Sequence, residues 1–408
     1  VDLEPISVVS ALAPLTERIG LAATMSTTFH EPYNIARSFA SLDHLSDGRA
    51  AWNVVTSMLN AEAQNFGYDS LADKATRYER AREAVQVVTS LWDSWEPDAL
   101  VMDKDTGIYF DHTKVRALNH RGVHFKVRGP LNVPPCPQGR PVLIQAGAST
   151  IGQRLAAEVA EVVYAAHNNI EDARNYYSSV KALMREYGRH PSEMLIMPGM
   201  LVIVGDTEVE ARAKYRAMQE SIDPLIGLAH LSFYLGDLSG YELDGPVPPL
   251  KLDGKAATRG KLWLEVARRH NLTIRELYEI AAISNGHHEV VGTAKHIADV
   301  MEEWMTEGAA DGFSILSAVA PSSLREFVSQ VVPELQRRGL FRKEYEGRTL
   351  RDHFGLPRVP AATRSSSPGS QWRSRGSRSR SRRRPSTCGR PTCTRARPAR
   401  AWRGWPRG

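Results

Sequence analysis

Short apolar runs alternate along this chain with longer stretches whose apolar residues recur at helical spacing. Residues 19–27, IGLAATMST, read as a buried strand. In the following 32–48, Ile35, Phe39, Leu42 and Leu45 share one helical face, Pro32 suits the first turn and Gly48 marks the stop. RAAWNVVTS (49–57) is the next strand, and 77–95 the next helix, with Ala81, Val85, Val88 and Trp92 on one side. Residues from about 96 to 140 lack a period, apart from a hairpin predicted at NHRGVHFKVRGPL (119–131). The alternation resumes with strands at 141–147, 161–167 and 193–206, each followed by an amphipathic helix. A polar, Gly- and Pro-bearing stretch at about 222–260 precedes more helix. The last unit is helix 292–308, strand DGFSILSA (311–318) and helix 322–339. His287 and His288, side by side in NGHHEVVG, read as loop residues.

Strands that alternate with helices imply a parallel sheet covered by helices, either an open doubly wound sheet or a closed (β/α)8 barrel. About six βα units are legible, and no Gly-x-Gly-x-x-Gly follows any of the strands. In both architectures the ligand crevice lies beyond the carboxyl ends of the strands. Three such ends are polar: Thr24 with Ser26, Thr27 and Thr28; Asn53 with Thr56 and Ser57; and Ser149 with Thr150. None offers a strong acid, base or nucleophile. Hydroxyls and amides suit a neutral heterocycle and a phosphate better than acid–base hydrolysis.

The third end, AGAST, joins a strand to a helix. Amides near Ala148 and Ser149 would point outward there, forming an anion site favoured by the helix dipole. Ser149 is equally the ordinary N-cap of that helix. Tyr78 begins the helix after the second strand, and on its own reads as a packed aromatic with a solvated hydroxyl. His30 and Tyr33 follow a strand end, where they would face a substrate or cap a helix.

Composition changes the picture at one place, the carboxyl end. The chain of 408 residues carries a formal charge of +6, yet residues 359–408 hold 14 Arg and no Lys, Asp or Glu. Residues 1–358 therefore hold 38 of the 52 basic residues against all 46 acidic ones, a net of −8. No run of 18 apolar residues offers a membrane span. The first residues lack the basic-then-apolar layout of a signal peptide, and a cytoplasmic location is expected. Cys136 is the one cysteine before residue 359, which fits a reducing compartment. No zinc-type ligand spacing is present.

These blocks resemble a known family. LEPISVVSALAPLTERIGLAATMSTTFHEPYNIARSFASLDHLSDGRAAWNVVTS is similar to the flavin-dependent monooxygenases of the nitrilotriacetate and dibenzothiophene-sulfone type, within the bacterial luciferase-like superfamily. NAEAQNFG, RYERA, LWDSW, VRGPLNVPPCPQGRPVLIQAGAS, GAADGF and TLRDHFGLP follow in the same order. The resemblance spans about 1–358 and implies a (β/α)8 TIM barrel with insertions at about 96–140 and 222–260. It implies reduced FMN, delivered by a separate NAD(P)H-dependent flavin reductase, with O2 as co-substrate and one oxygen atom passing to a small organic substrate. An organosulfur compound or an aminopolycarboxylate is the expected substrate class, and a homo-oligomer, dimer or tetramer, the expected assembly. Carried over position by position, Thr24 and Asn53 face the flavin ring, while Tyr78 and Ser149, with the Ala148 amide, hold the FMN phosphate. Lys74 stands where the family commonly has His, four residues before that Tyr.

Measured against the family, the first two βα units are expected to be missing from this sequence, which accounts for six units rather than eight. Residues 359–408 are foreign to the family, and their Arg/Ser/Pro composition reads as disorder, translated out of frame. Two alternatives remain. One is a deazaflavin-dependent oxidoreductase of the same superfamily. The other is an inactive fragment whose basic tail binds nucleic acid, although no nucleic-acid partner is the main expectation.

Overall fold

The computed structural model describes residues 3–250, 252, 257–357 and 359. Most of the basic tail, 360–408, thus lies outside the described residues. The fold is built on seven parallel strands. They are β1 (Leu21–Ser26), β2 (Ala50–Val55), β5 (Val142–Gln145), β6 (Val162–Ala165), β7 (Leu195–Val204), β8 (His288–Gly292) and β9 (Ser314–Leu316). A separate antiparallel pair, β3 (His120–Arg121) and β4 (Lys126–Val127), is the predicted hairpin. The sheet runs β1-β2-β5-β6-β7-β8, with β9 also paired to β7.

Six of the seven parallel strands are those expected from the pattern. The seventh, β8, is a correction: His288 begins a strand, and its short length and polar start hid it in the sequence. β7 explains why a strand can join here. Its first residues pair with β6 from Val162↔Leu195 to Ala165↔Pro198, and Pro198 has no N–H with which to continue a ladder. Beyond it β7 pairs with β9 from Gly199 to Leu201 and with β8 from Met200 to Val204.

The helix Pro32–Leu45 buries Ile35, Phe39 and Leu42 as its spacing requires, but Leu45, in the last turn, is 58% exposed. Gly48 then takes φ +85°, and its N–H donates to Asp43 O at 2.8 Å, ending the helix where expected. The helix Lys74–Trp92 buries Ala81, Val85, Val88 and Trp92, the last three against the same core, with Trp52 of β2 edge-on to Trp92. The stretch 222–260 is not irregular throughout. Asp223 caps a helix at Pro224–Leu235, and Leu231, Leu235 and Leu238 pack with Trp263, Leu277 and Tyr278 into a core of their own. The last predicted helix is broken into Ser322–Glu326 and Val332–Arg337 by a π-helical segment, Phe327–Val331, immediately before Pro333.

Two buried arginines tie the amino ends of the strands together. Arg49, just before β2, donates to the carbonyls of Ala13 (3.0 Å), Thr16 (2.6 Å), Ile19 (2.6 Å) and Ser46 (2.7 Å). Arg351 grips both oxygens of Glu161 at 2.7 Å and donates to Arg140 O at 3.0 Å; Glu161 also accepts from Leu143 N of β5. Arg351 is 2% exposed, so its removal leaves the part-buried Glu161 carboxylate with only the Leu143 N–H and the more distant charge of Arg189. We expect Arg351→Ala to lower the unfolding free energy by about 3–5 kcal/mol, read from urea denaturation at neutral pH. A change below about 1 kcal/mol would show that Glu161 finds water or another partner.

Candidate functional site

In-register pairing of β1 with β2 sets Thr24 opposite Asn53. Asn53 Nδ2 donates to Thr24 Oγ1 at 2.9 Å, and Asn53 Oδ1 is buried with no partner. The other hydroxyls at these strand ends have a different task. Ser26 and Ser57 share a hydrogen bond of 2.6 Å, Ser57 donates to Glu62 at 2.6 Å, and Thr27 and Thr28 donate to the carbonyls of Val55 and Thr56. They stitch the two loops together. Of the polar tips on β1 and β2, Asn53 is the one that keeps a buried oxygen without a partner.

The junction after β5 is the second part. Ser149 caps the helix Thr150–Val159, its Oγ accepting from Gly152 N at 3.3 Å, and no acidic residue lies in the first turn. The first four N–H groups of a helix lack intrahelical partners, so this end carries free donors and partial positive charge. Gly152 also explains where Tyr78 goes. A Cβ on Gly152 would come within 3.1 Å of the Tyr78 hydroxyl and 3.0 Å of Gly147 Cα, so only glycine leaves this hollow open. Tyr78, from another helix, and Ser149 thus meet at one place. Ala148 is exposed beside them, its carbonyl accepting from Gln153 Nε2 at 2.9 Å. Lys74 is exposed in the first turn of the Lys74–Trp92 helix, one turn before Tyr78 and on the same face.

Sequence reasoning passed over four residues that the fold brings to the same mouth. Gln145, at the carboxyl end of β5, is 4% exposed and its Oε1 has no partner. Tyr176 donates to Gly147 O at 3.0 Å, and burial pushes its hydroxyl pKa up, with Tyr78 nearby adding to the effect. His167 lies two residues beyond β6, its ring 4.9 Å from that of Tyr176. His287 precedes β8 and packs on Gly199 of β7, where a Cβ would fall 2.1 Å from its Nδ1. The one available signal was position: polar residues just past strand ends, Gln145 and His167 among them. Cys136 is buried and its thiol pKa is raised by that burial, as a packed, unreactive cysteine requires. His30 turns inward to Ser26 O at 3.0 Å. Among the described residues no group of His, Cys, Asp and Glu could hold a metal ion.

Residues 1–311 match the family described as luciferase-like monooxygenase. The chain is 53% identical to N-acetyl-S-(2-succino)cysteine monooxygenase of Bacillus subtilis (strain 168), over 86% of this chain and 81% of that protein. It is 50% identical to nitrilotriacetate monooxygenase component A of Aminobacter aminovorans, over 87% and 79%. Among solved structures, a riboflavin lyase crystallised with modified FMN and riboflavin superposes with a TM-score of 0.77 at 32% identity, covering 87% of this chain and 78% of that one.

Burial lowers the pKa of His167 to about 4, partly offset by Asp172. Burial, then the Arg259 charge and His167 itself, lower His287 to about 4. Both rings are neutral in the folded protein at neutral pH. Below 6.5 the unfolded chain takes up protons that the folded protein refuses down to about 4, so their stability contribution is whole above 6.5 and falls as the pH drops through that window. We expect the urea midpoint to fall between about pH 7 and pH 5, and a His167→Asn/His287→Asn variant to lose part of that slope. An unchanged slope would place the acid sensitivity elsewhere.

Proposed function

The chain belongs to the luciferase-like monooxygenases, and from that premise we propose that it is the oxygenating component of a two-component system that uses reduced FMN and O2. A separate NAD(P)H-dependent flavin reductase is the partner in this reading, and a homo-oligomer the working assembly. The observation that carries it is the pair of unfilled polar sites at one mouth: a buried acceptor at Asn53 and a donor-rich hollow at Ser149, Gly152 and Tyr78. A flavin presents ring N–H donors at one end and a phosphate at the other, so both sites fit its donor set.

In this assignment Asn53 Oδ1 accepts from the ring, with Thr24 Oγ1 fixing the amide that carries it. Ser149, the first-turn amides beside Ala148 and the Tyr78 hydroxyl take the phosphate, with the Lys74 ammonium one turn away adding positive charge. The bound flavin supplies the electrons that activate O2 and the route by which one oxygen atom reaches the substrate. The protein's own contribution is to bind, orient and exclude water. In keeping with this, the imidazoles of His167 and His287 are held neutral, and the residues assigned to the ring and the phosphate are amides and hydroxyls with the one ammonium of Lys74 beside them. The relatives named above act on a carboxylated thioether and an aminopolycarboxylate, and a small organic substrate of one of these types is the one to supply. Identities of half or more to monooxygenases favour FMN over a deazaflavin.

The direct test supplies the full chain with NADH, FMN, a flavin reductase and isotopic O2, with N-acetyl-S-(2-succino)cysteine and nitrilotriacetate as substrates. Label entering a product supports the reading; NADH consumption that yields hydrogen peroxide alone with both counts against it. For the cofactor site, Ser149→Ala combined with Tyr78→Phe should weaken FMN binding roughly 10- to 100-fold while riboflavin binding changes little. Equal weakening of both would remove these residues from the phosphate.

A further inference from the structure

Beside His287, the helical insertion carries a charge pattern that oxygen transfer itself does not require. Arg259 stands at the start of the helix Ala257–His270, and its Nη1 donates to Asn285 Oδ1 at 2.9 Å. Tyr234 donates to the same oxygen at 3.2 Å, with the guanidinium 6.0 Å from its ring. These contacts hold the guanidinium in place but leave it without an anion: Arg259 makes no ion pair with any described residue. Its charge is felt at two imidazoles, lowering the pKa of both His230 and His287. His230 Nε2, His287 Nδ1 and His167 Nε2 are buried ring nitrogens without a hydrogen-bond partner. The carboxylate that acts on this group is Asp172, at His167, and one of its oxygens already accepts from Asn169 Nδ2 at 2.6 Å.

A fixed cation without an anionic partner is unsatisfied toward negative charge, and a bound anion that pairs with it removes that cost. The planar fork of a guanidinium matches the two oxygens of a carboxylate, while the neutral imidazoles beside it add no competing charge. The cluster is also continuous with the flavin residues. His287 packs on Gly199, His167 lies against Tyr176, and the Tyr176 hydroxyl reaches Gly147 in the Ser149 junction. Arg259 and His230 both come from the helical insertion.

We propose that Arg259 recognises a carboxylate on the substrate, so that this enzyme selects carboxylated organic compounds over neutral ones of the same shape. The proposal rests on the flavin reading for the position of the reaction, but not for the recognition itself.

Calorimetric titration of the full chain, with and without FMN, separates the two. The probes are thiodiacetate, iminodiacetate and (carboxymethylthio)succinate, each beside its full methyl ester. At least one acid should bind and its ester should not. Arg259→Gln should weaken that acid roughly 10- to 100-fold. Arg259→Lys should retain more of the affinity than the Gln variant, and FMN affinity, read by flavin fluorescence, should be unchanged in both. Equal melting temperatures show that the variants are folded. If no acid binds, if an ester binds as tightly as its acid, or if Arg259→Gln leaves the affinity intact, the proposal is overturned. Failure of the wild-type chain to bind FMN, with the acids still bound, overturns the flavin assignment instead.

Discussion

Parallel pairing of β1 with β2, Leu21 opposite Ala50 and Thr24 opposite Asn53, makes the two strands end at one level, and whatever polar groups follow must be satisfied there. Ser26, Thr27, Thr28 and Ser57 satisfy each other and the neighbouring carbonyls, and so close the tips into one rigid rim. Arg77 and Arg80 reach the carbonyls of Thr56 and Thr27 from the next helix, locking that helix to the rim and with it the placement of Tyr78. The residues proposed for the cofactor are therefore positioned by groups outside that proposed site. A ring and a phosphate several bonds apart demand such stiffness, because each must meet its partners without moving the other.

The opposite end of the sheet is held by charge rather than by hydroxyls. Arg49 gathers carbonyls from the segment before β1, and Arg351 joins the carboxyl-terminal motif to Glu161 between the Thr150–Val159 helix and β6. Guanidinium groups suit this role because five donors in a fixed plane can serve several acceptors at once. With the amino ends of the strands tied in this way, the carboxyl ends are free to carry unsatisfied atoms. Asn53 Oδ1, Gln145 Oε1 and His167 Nε2 are such atoms, and His287 Nδ1, just before β8, is another buried atom without a partner. Unsatisfied buried groups in a native protein call for a reason, and ligand binding is one.

β7 shows how the two halves of the site are joined. Pro198 ends the ladder with β6, Gly199 lets His287 approach the strand, and β8 takes up the pairing from Met200 onward. The helical insertion, with Arg259 and His230, connects β7 to β8 and is carried to the mouth by that switch. The residues proposed for the cofactor come from strands and helices of the sheet, whereas the residue proposed for the substrate, Arg259, comes from this insertion. Families that keep a cofactor and vary a substrate use such an arrangement, because loops and insertions tolerate change that sheet positions do not.

The sequence by itself determined the alternating architecture, six of the seven parallel strands, the hairpin and the glycine stop at Gly48. Each rests on a local period or on a backbone conformation that few residues can take. It also marked Thr24, Asn53 and Ser149 as strand-end polar residues, while Tyr78 became a candidate through family resemblance. It left β8 and the insertion helix unread, because both sit inside polar or Gly/Pro-bounded stretches where periodicity is short. Only the tertiary structure decided which polar residues remain unsatisfied. Ser57 and Asn53 look alike along the chain, four residues apart, yet one is consumed by Ser26 and Glu62 and the other keeps a bare oxygen. That difference depends on partners supplied by distant segments, and so does the approach of Arg259 to His287. Hydrogen-bond satisfaction is a property of the assembled neighbourhood, whereas a hydrophobic period belongs to the local chain.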